Sequence, residues 1–328
     1  MSKRTLDNFF SPAAKRPRVE PLVEAEAEAE AEDHSLHAIQ PSSHPTYPWP
    51  IPHLPARIKK EMELLVTTQG KEIKDQPHLD LLYFQPFIPR SIERGLFEFL
   101  RAELFFYRVV YTIKRFGKDT VVNTPRFTTV FGIDETSRFA GDGGQVVEAS
   151  DLSRPVRRDK YKCRPRPIPA CLDFLRLVTE ANTDTKYNFC LVNYYASGND
   201  SISYHSDDEH FLGPEPAIAS FTLGAKRDFL MKHKPPKEGE QKIEAKDIKF
   251  SLAGGDMILM RGPTQSNWLH SIPKRKGGEA DRGRINITLR RALTPAGTEN
   301  YYRYNVGDGE VFKWDQSESQ MLPWSKSI

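Results

Sequence analysis

The chain has 328 residues and a mass of 37.5 kDa, and its hydrophobic fraction of 38% excludes a wholly disordered protein. No apolar run approaches the ~20 residues that span a bilayer, and the three cysteines lack metal-type CxxC spacing, which favours a reduced intracellular protein. Residues 1–56 contain 5 Lys/Arg and 8 Asp/Glu, so residues 57–328 contain 42 and 36 and carry +6. This mildly basic body is compatible with a nucleic-acid partner.

The first part of the chain is predicted to be a disordered tail. Residues 1–56 hold 9 of the 25 prolines and an alternating Glu-Ala run. Such a composition offers too little apolar surface to offset the entropy of ordering the chain. We expect the tail to cover residues 1–75, followed by a folded domain over 76–300 and a C-terminal extension over 301–328.

Two short motifs in this tail indicate partners. The stretch 3–10 resembles the peptide by which DNA repair and replication proteins bind PCNA, although Lys3 stands where that peptide usually has Gln. Its apolar side chains have the i, i+3, i+4 spacing of one helical face: Leu6, Phe9 and Phe10. The basic stretch KRPR at 15–18 resembles a nuclear-import signal, so we expect a nuclear location.

From about residue 80 the pattern becomes that of a globular domain. Amphipathic helices are predicted at 91–104 and 168–182. Near-alternating β-branched and aromatic residues predict strands at 187–195, 217–223, 227–232, 247–252, 256–261 and 284–292. Helices followed by six strands, without βαβ alternation, predict a mainly β (α+β) fold, an antiparallel sandwich or jelly roll behind a helical layer.

One pair of motifs has the composition of a metal site. His205 and Asp207 are two residues apart, so on a strand or its margin both side chains point to one side. His270 follows at the end of a strand-like run. Two His and one carboxylate are the ligand set of non-haem Fe(II) oxygenases, and zinc hydrolases can use the same set.

The strand predicted at 284–292 bears polar side chains on one face. They are Arg284, Asn286, Thr288 and Arg290. Two Arg on one face of a strand whose other face is apolar are costly to bury unless each contacts an anion. A dicarboxylate can pair with two guanidinium groups. This pairing favours iron with an acidic co-substrate over zinc, while two surface Arg on an edge strand remain an alternative for the strand taken alone.

Together these motifs resemble the AlkB family of Fe(II)- and 2-oxoglutarate-dependent dioxygenases. The matching pieces keep the family's order and spacing over about 110 residues: Asn193 with Tyr195, HSDDE at 205–209, ASFTLGAKRDFLMKHK at 219–234, His270, and RINITLR at 284–290. The segment 140–166 matches poorly. The resemblance implies a double-stranded β-helix (jelly roll) with supporting N-terminal helices.

The resemblance also implies cofactors and the residues that hold them. Fe(II) would be ligated by His205, Asp207 and His270, with no further catalytic side chain. The co-substrates would be 2-oxoglutarate and O2. The distal carboxylate of 2-oxoglutarate would be held by Arg284, Asn286 and Tyr195, and Arg290 and Asn193 would lie near its metal-chelating end, with Thr288 nearby.

The substrate implied by the resemblance is an N-alkylated base in DNA, such as 1-methyladenine or 3-methylcytosine. Hydroxylation of the methyl group would release formaldehyde. A base in a duplex must be flipped out to react. Phe116 would be the wedge in the vacated stack, followed by Gly117 and Lys118. The residues expected to contact the flipped base are Asp208, Glu209 and Tyr161.

Several alternatives remain open at this point. The same chemistry could act on RNA or single-stranded DNA, although a wedge at Phe116 favours duplex DNA. A non-catalytic module that binds damaged DNA is a second alternative, which the complete set of metal and co-substrate residues disfavours. A zinc hydrolase is a third, disfavoured by the two Arg. We expect a monomer with no membrane partner.

Overall fold

The fold is given by a computed structural model, which describes residues 51–65, 69–108, 110–115, 117–141, 145–161, 163–236, 239, 241, 243–305 and 310–324. All the described residues belong to one compact unit. Within these ranges no helix is both long enough and apolar enough to cross a membrane.

The helices lie at the edges of a larger β structure. In the described part of the chain they are α1 (Ala56–Glu63), α2 (Arg90–Glu103), α3 (Ala170–Thr183), α4 (Thr264–Asn267) and α5 (Pro295–Asn305). The predicted helices at 91–104 and 168–182 correspond to α2 and α3 within two residues at each end. The buried face of α2 carries Ile92, Leu96 and Leu100, the i, i+4 pattern of an amphipathic helix.

Short strands form most of the remaining structure. They are β1 (Lys71–Ile73), β2 (Leu81–Phe84), β3 (Phe106–Tyr107), β4 (Val110–Arg115), β5 (Lys118–Asn123), β6 (Phe127–Gly132), β7 (Ser137–Ala140), β8 (Gln145–Glu148), β9 (Asp151–Pro155), β10 (Phe189–Tyr195), β11 (Ile202–His205), β12 (Ile218–Gly224), β13 (Arg227–His233), β14 (Ile248–Leu252), β15 (Met257–Met260), β16 (Trp268–Ile272), β17 (Arg284–Arg290), β18 (Val311–Asp315) and β19 (Gln320–Pro323). The six strands predicted from alternation correspond to β10, β12, β13, β14, β15 and β17.

Two antiparallel sheets make the jelly roll. The larger has the strand order β1-β2-β15-β12-β17-β10-β6-β3-β18-β19, and the smaller has the order β11-β16-β13-β14. Residues of both sheets share one hydrophobic cluster, which includes Leu191 of β10 and Met231 of β13. The sheets therefore face each other, and the predicted mainly β jelly roll with supporting helices is confirmed.

Strand β17 lies near the middle of the larger sheet, between β12 and β10. All seven of its residues are buried. Ile285, Ile287 and Leu289 belong to the cluster that also contains the apolar faces of α2 and α3. Successive side chains of a strand point to opposite faces, so the polar residues of β17 face the space between the two sheets.

The predicted tail boundary at residue 75 is wrong. Ile58 and Met62 of α1 are buried in the core, and their i, i+4 spacing gives this helix one apolar side. Strand β1 pairs with β2 at the edge of the larger sheet. Described and folded structure is therefore present from residue 51, ahead of the predicted domain start.

The predicted C-terminal boundary also differs from the structure. The proposed C-terminal extension over 301–328 begins inside α5, and its strands β18 and β19 complete one edge of the larger sheet through pairing with β3. The poorly matching segment 140–166 contributes to a separate three-stranded sheet, β7-β8-β9. The pairing of β18 with β3 joins residues about 200 positions apart, which local alternation does not reveal.

The burial of α1 leads to a stability prediction. Met62→Ala removes a side chain that is 1% exposed, so the free energy of unfolding should fall by about 2–4 kcal/mol in urea denaturation. Leu64→Ala is the matched control, because Leu64 is 70% exposed and its loss should change stability by no more than about 0.5 kcal/mol. Equal effects of the two substitutions would contradict the placement of α1 in the core.

Candidate active site

Three potential metal ligands meet at one end of the space between the sheets. The structure brings His205, Asp207 and His270 together with one ligand atom of each within 4.8 Å of the others. The two imidazole ring centroids are 4.2 Å apart, and His270 Nε2 lies 3.8 Å from an Asp207 carboxylate oxygen. Two imidazoles and one carboxylate at these separations can ligate one divalent cation.

Strand register accounts for this meeting. His205 at the end of β11 is directly opposite His270 of β16 in the antiparallel pairing, so their side chains lie on one face. Asp207 follows two residues after His205. The Nδ1–H of His205 donates to the backbone oxygen of Ser203 at 2.8 Å, in the tautomer that leaves Nε2 for a metal.

The carboxylate of Asp207 is held by its surroundings. One oxygen accepts from Arg290 Nη2 at 3.0 Å, and the backbone N–H of Asp207 donates to the side-chain oxygen of Gln265 at 2.9 Å. Burial by itself would raise the pKa of Asp207, but the positive charge of Arg290 outweighs burial and lowers it. The group is therefore ionised at neutral pH, as a metal ligand must be.

The imidazole of His270 is also kept in its ligating form. Burial, reinforced by the neighbouring His205, lowers the pKa of His270 to about 3. The ring stacks on Phe229 with a centroid separation of 5.3 Å and an interplanar angle of 24°. His270 is thus neutral and fixed in orientation at neutral pH.

A cavity of about 140 Å³ lies beside these ligands. The four polar residues of β17 all line it, together with the three candidate ligands: Arg284, Asn286, Thr288, Arg290, His205, Asp207 and His270. Both sheets therefore contribute to one enclosed polar space. The alternative of two surface Arg on an edge strand is excluded, because Arg284 and Arg290 are only 1% and 2% exposed.

Arg284 is a buried cation with incomplete pairing. Its Nη2 donates to the hydroxyl of Thr222 at 2.8 Å, whereas Nε and Nη1 have no hydrogen-bond partner among the described residues. Burial lowers the pKa of Arg284 to about 10, so the side chain stays protonated at neutral pH. Two unpartnered guanidinium nitrogens on a buried cation form a receptor for a carboxylate.

The neighbouring cavity residues are held by hydrogen bonds across the sheet. The amide nitrogen of Asn286 donates to the hydroxyl of Ser220 at 2.9 Å and to the backbone oxygen of Phe221 at 2.8 Å. The hydroxyl of Thr288 donates to the backbone oxygen of Leu191 at 3.2 Å. These bonds fix the orientation of both side chains before any ligand enters.

The adjacent strand β10 supplies a further part of the lining. Tyr195 pairs with Arg284 in the register, and the guanidinium carbon lies 5.3 Å from the centre of its ring. Asn193 pairs with Asn286, and its side-chain oxygen accepts from Arg126 Nε at 3.0 Å. The predicted co-substrate residues on β10 and β17 therefore border one cavity.

These observations test whether the residues fit iron and 2-oxoglutarate. The His-Asp-His set suits Fe(II), and the unpaired N–H groups of Arg284 suit one carboxylate of a dicarboxylate. Arg290, which contacts Asp207, offers a second cation beside the metal ligands, with its buried Nε unpartnered among the residues described. The residues present fit both groups.

Two acidic residues follow the ligand Asp207. Asp208 is about half exposed, and its carboxylate accepts from Lys234 Nζ at 2.6 Å. Burial would raise the pKa of Asp208, but the bond to Lys234 outweighs it and lowers the pKa. Glu209 accepts from the hydroxyl of Tyr301 at 2.5 Å, and Tyr301 lines the cavity. Asp208, which is ionised, and Glu209 therefore follow the ligand Asp207 directly in the chain, and Glu209 is linked to the cavity through Tyr301.

The other predicted substrate residues lie elsewhere or outside the described chain. Tyr161 is buried, donates to Asp134 at 2.5 Å, and does not line the cavity. Gly117 and Lys118 are exposed where β4 turns into β5. Phe116 lies outside the described residues, so its role stays a prediction.

Three functional neighbours were not predicted from sequence. They are Arg126, which holds Asn193; Gln265, which holds Asp207; and Tyr301, which contacts Glu209 and Arg290. The pairs Arg126–Asn193, Gln265–Asp207 and Tyr301–Glu209 are separated by 58 to 92 positions in the chain, whereas Tyr301 and Arg290 are 11 positions apart. The residue types gave no local signal, since isolated Arg, Gln and Tyr are common on protein surfaces.

Comparisons with known proteins give related sequences. A family model described as "2OG-Fe(II) oxygenase superfamily" matches residues 126–290. "DNA oxidative demethylase ALKBH2" of Arabidopsis thaliana is 30% identical over 229 residues, 65% of this chain and 67% of the relative. ALKBH2 of Mus musculus is 37% identical over 153 residues, 47% of this chain and 59% of the relative.

A second group of relatives has a different printed name. "Alpha-ketoglutarate-dependent dioxygenase alkB homolog 3" of Mus musculus is 39% identical over 139 residues, 42% of this chain and 48% of the relative. The chain thus spans between about half and two thirds of the length of these three relatives. The solved structure of OsALKBH1 aligns over 68% of this chain with 16% identity and a TM-score of 0.38.

The ligand geometry leads to a metal-binding prediction. His270→Ala should lower the affinity for Fe(II) by about 100-fold in anaerobic calorimetry, because two of three ligands remain. His233→Ala is the matched control, since His233 lies on the neighbouring strand β13 and is not part of the ligand cluster. An unchanged affinity in His270→Ala would contradict the assignment.

Proposed function

This chain belongs to the 2OG-Fe(II) oxygenase superfamily, within its AlkB family, and on that basis we propose that it repairs N-alkylated DNA bases by oxidative demethylation. It is a dioxygenase that uses Fe(II), 2-oxoglutarate and O2. The observation that carries the proposal is the His-Asp-His cluster beside a buried Arg284 with two unpaired N–H groups. The demethylase names of the relatives supply the substrate class.

The bound groups supply the oxidising chemistry, and the protein holds these groups in position. Fe(II), 2-oxoglutarate and O2 together supply the oxidation that hydroxylates the methyl group of the base, which then leaves as formaldehyde. His205, Asp207 and His270 would hold the iron. Arg284, with Asn286 and Tyr195 beside it, would hold one carboxylate of 2-oxoglutarate.

The enclosed cavity controls access of water and of the substrate. Its volume of about 140 Å³ is far smaller than a base pair with its sugars, so the base has to leave the stack before its methyl group reaches the metal. Apolar neighbours such as Phe229 and Leu191 exclude water from part of the lining. Low water content strengthens the electrostatic contacts that orient the co-substrate.

The carboxylate of Asp208 supports a methylated base as the substrate. 1-Methyladenine and 3-methylcytosine are cationic and carry an exocyclic N–H donor, which an ionised carboxylate accepts. Asp208 is ionised, half exposed and adjacent in sequence to the ligand Asp207. Its position thus favours a charged base over an unmodified, neutral one.

A hairpin supports duplex DNA as the form that is bound. Strands β4 and β5 form a two-stranded sheet of their own, in which Arg115 pairs with Lys118. An apolar side chain between cations suits insertion into a base stack, with the cations on phosphates. The PCNA-like peptide at 3–10 and the basic stretch at 15–18 also lie outside the described residues. PCNA binding and a nuclear location therefore stay predictions.

The activity test uses a duplex oligonucleotide with one 1-methyladenine, together with Fe(II), ascorbate and 2-oxoglutarate. We expect one formaldehyde per methylated base, and no release with Asp207→Ala or without 2-oxoglutarate. Consumption of 2-oxoglutarate while the methylated DNA persists would contradict the DNA substrate and direct the search to RNA.

In a second experiment, Phe116→Ala should reduce turnover of the duplex by about tenfold and leave turnover of single strands nearly unchanged. Equal losses on both substrates would contradict the preference for duplex DNA.

A further inference from the structure

The C-terminal helix α5 brings a tyrosine into the active site from outside the segment that matches the family. The family model ends at residue 290, whereas α5 covers Pro295–Asn305. Tyr301 of this helix lines the cavity together with the metal ligands. The helix lies close to the 3-10 turn His210–Leu212, where the side chain of Phe211 occupies the space that a side chain at Gly297 would need.

The phenol of Tyr301 connects two charged residues of the site. Its hydroxyl donates to Glu209 at 2.5 Å and accepts from Nη1 of Arg290, whose guanidinium carbon lies 4.8 Å from the ring centre. The ring packs edge-on against Phe189 and Phe211 at centroid separations of 5.5 and 5.7 Å. Burial raises the pKa of Tyr301 well above its usual range, so the hydroxyl keeps its proton at neutral pH.

These contacts form a continuous chain from Glu209 to the candidate metal ligand Asp207. Glu209 accepts from Tyr301, Tyr301 accepts from Nη1 of Arg290, and Nη2 of Arg290 donates to Asp207 at 3.0 Å. With Nη1 and Nη2 occupied, Nε is the group of Arg290 that lacks a hydrogen-bond partner within the described chain. Tyr301 therefore determines which edge of the guanidinium is left for a ligand.

We propose that Tyr301 is a positioning residue, which α5 adds to the oxygenase core to hold Arg290 for the co-substrate and to link it to Glu209. Without the hydroxyl, the guanidinium can turn and give two parallel N–H groups to Asp207, the preferred geometry of an Arg–carboxylate pair. This rotation of the guanidinium would move positive charge away from the cavity. It would also make Arg290 compete with the iron for the carboxylate of Asp207. The loss of one charge-assisted bond of this kind corresponds to about a tenfold change in affinity.

The adjacent Tyr302 provides a matched control on the same helix. It is buried, and its hydroxyl donates to the backbone oxygen of Gly132 at 2.9 Å and accepts from the backbone N–H of Arg166 at 2.7 Å. It does not line the cavity. Tyr302→Phe thus removes one buried phenol hydroxyl from α5 and leaves Arg290 in place.

The test titrates 2-oxoglutarate into the full-length protein loaded with Fe(II) under anaerobic conditions and follows the visible charge-transfer absorption of the complex. Tyr301→Phe should raise the Kd for 2-oxoglutarate by about tenfold, whereas Tyr302→Phe should keep the wild-type Kd and lower only the unfolding midpoint. With O2 and methylated DNA, Tyr301→Phe should also release less formaldehyde per succinate than the wild-type protein.

The two readouts separate this inference from the function on which it rests. The Kd depends on iron and co-substrate alone, so it tests the role of Tyr301 even if methylated DNA is not the substrate. The formaldehyde-to-succinate ratio depends on the proposed demethylation as well. An unchanged Kd in Tyr301→Phe, or equal shifts of Kd in Tyr301→Phe and Tyr302→Phe, would overturn the positioning role.

Discussion

The burial of a charged guanidinium, that of Arg284, is the constraint on which the rest of this site depends. The side chain is 1% exposed, and two of its guanidinium nitrogens have no partner in the described chain. An unpaired buried charge costs several kcal/mol, so a folded chain keeps one where function requires it. A carboxylate ligand removes this cost, and the cavity that admits the ligand leads directly to the His-Asp-His cluster.

The same strand connects the stability of the fold with the geometry of the site. Ile285, Ile287 and Leu289 pack into the core shared with the helices, whereas the alternate residues of β17 line the cavity. A register shift of one residue would put Arg284 into the apolar core and an isoleucine against the metal. The hydrophobic face of β17 therefore specifies the position of its polar face, and pairing with both β10 and β12 fixes it along its length.

Local patterns allowed much of this arrangement to be predicted, and long-range contacts account for what was missed. The polar face of β17 follows from period-2 alternation, and the spacing of His205 and Asp207 places them on one side of the chain. His205 and His270 lie directly opposite each other because their strands pair, and no local pattern in the sequence reveals that pairing. Tyr301 reaches the site only through the packing of α5. The start of the folded region was predicted too late in the chain, because α1 has just two buried residues, Ile58 and Met62.

The central claim is that the unpaired N–H groups of Arg284 bind a carboxylate of 2-oxoglutarate. The most direct measurement is anaerobic calorimetry of 2-oxoglutarate binding to Fe(II)-loaded wild-type protein and to Arg284→Gln, with Fe(II) binding measured separately. We expect Arg284→Gln to bind Fe(II) normally and to lose at least about 100-fold in affinity for 2-oxoglutarate, because a bidentate ion pair is lost at a buried position. Equal affinities for 2-oxoglutarate in the two proteins would contradict the account.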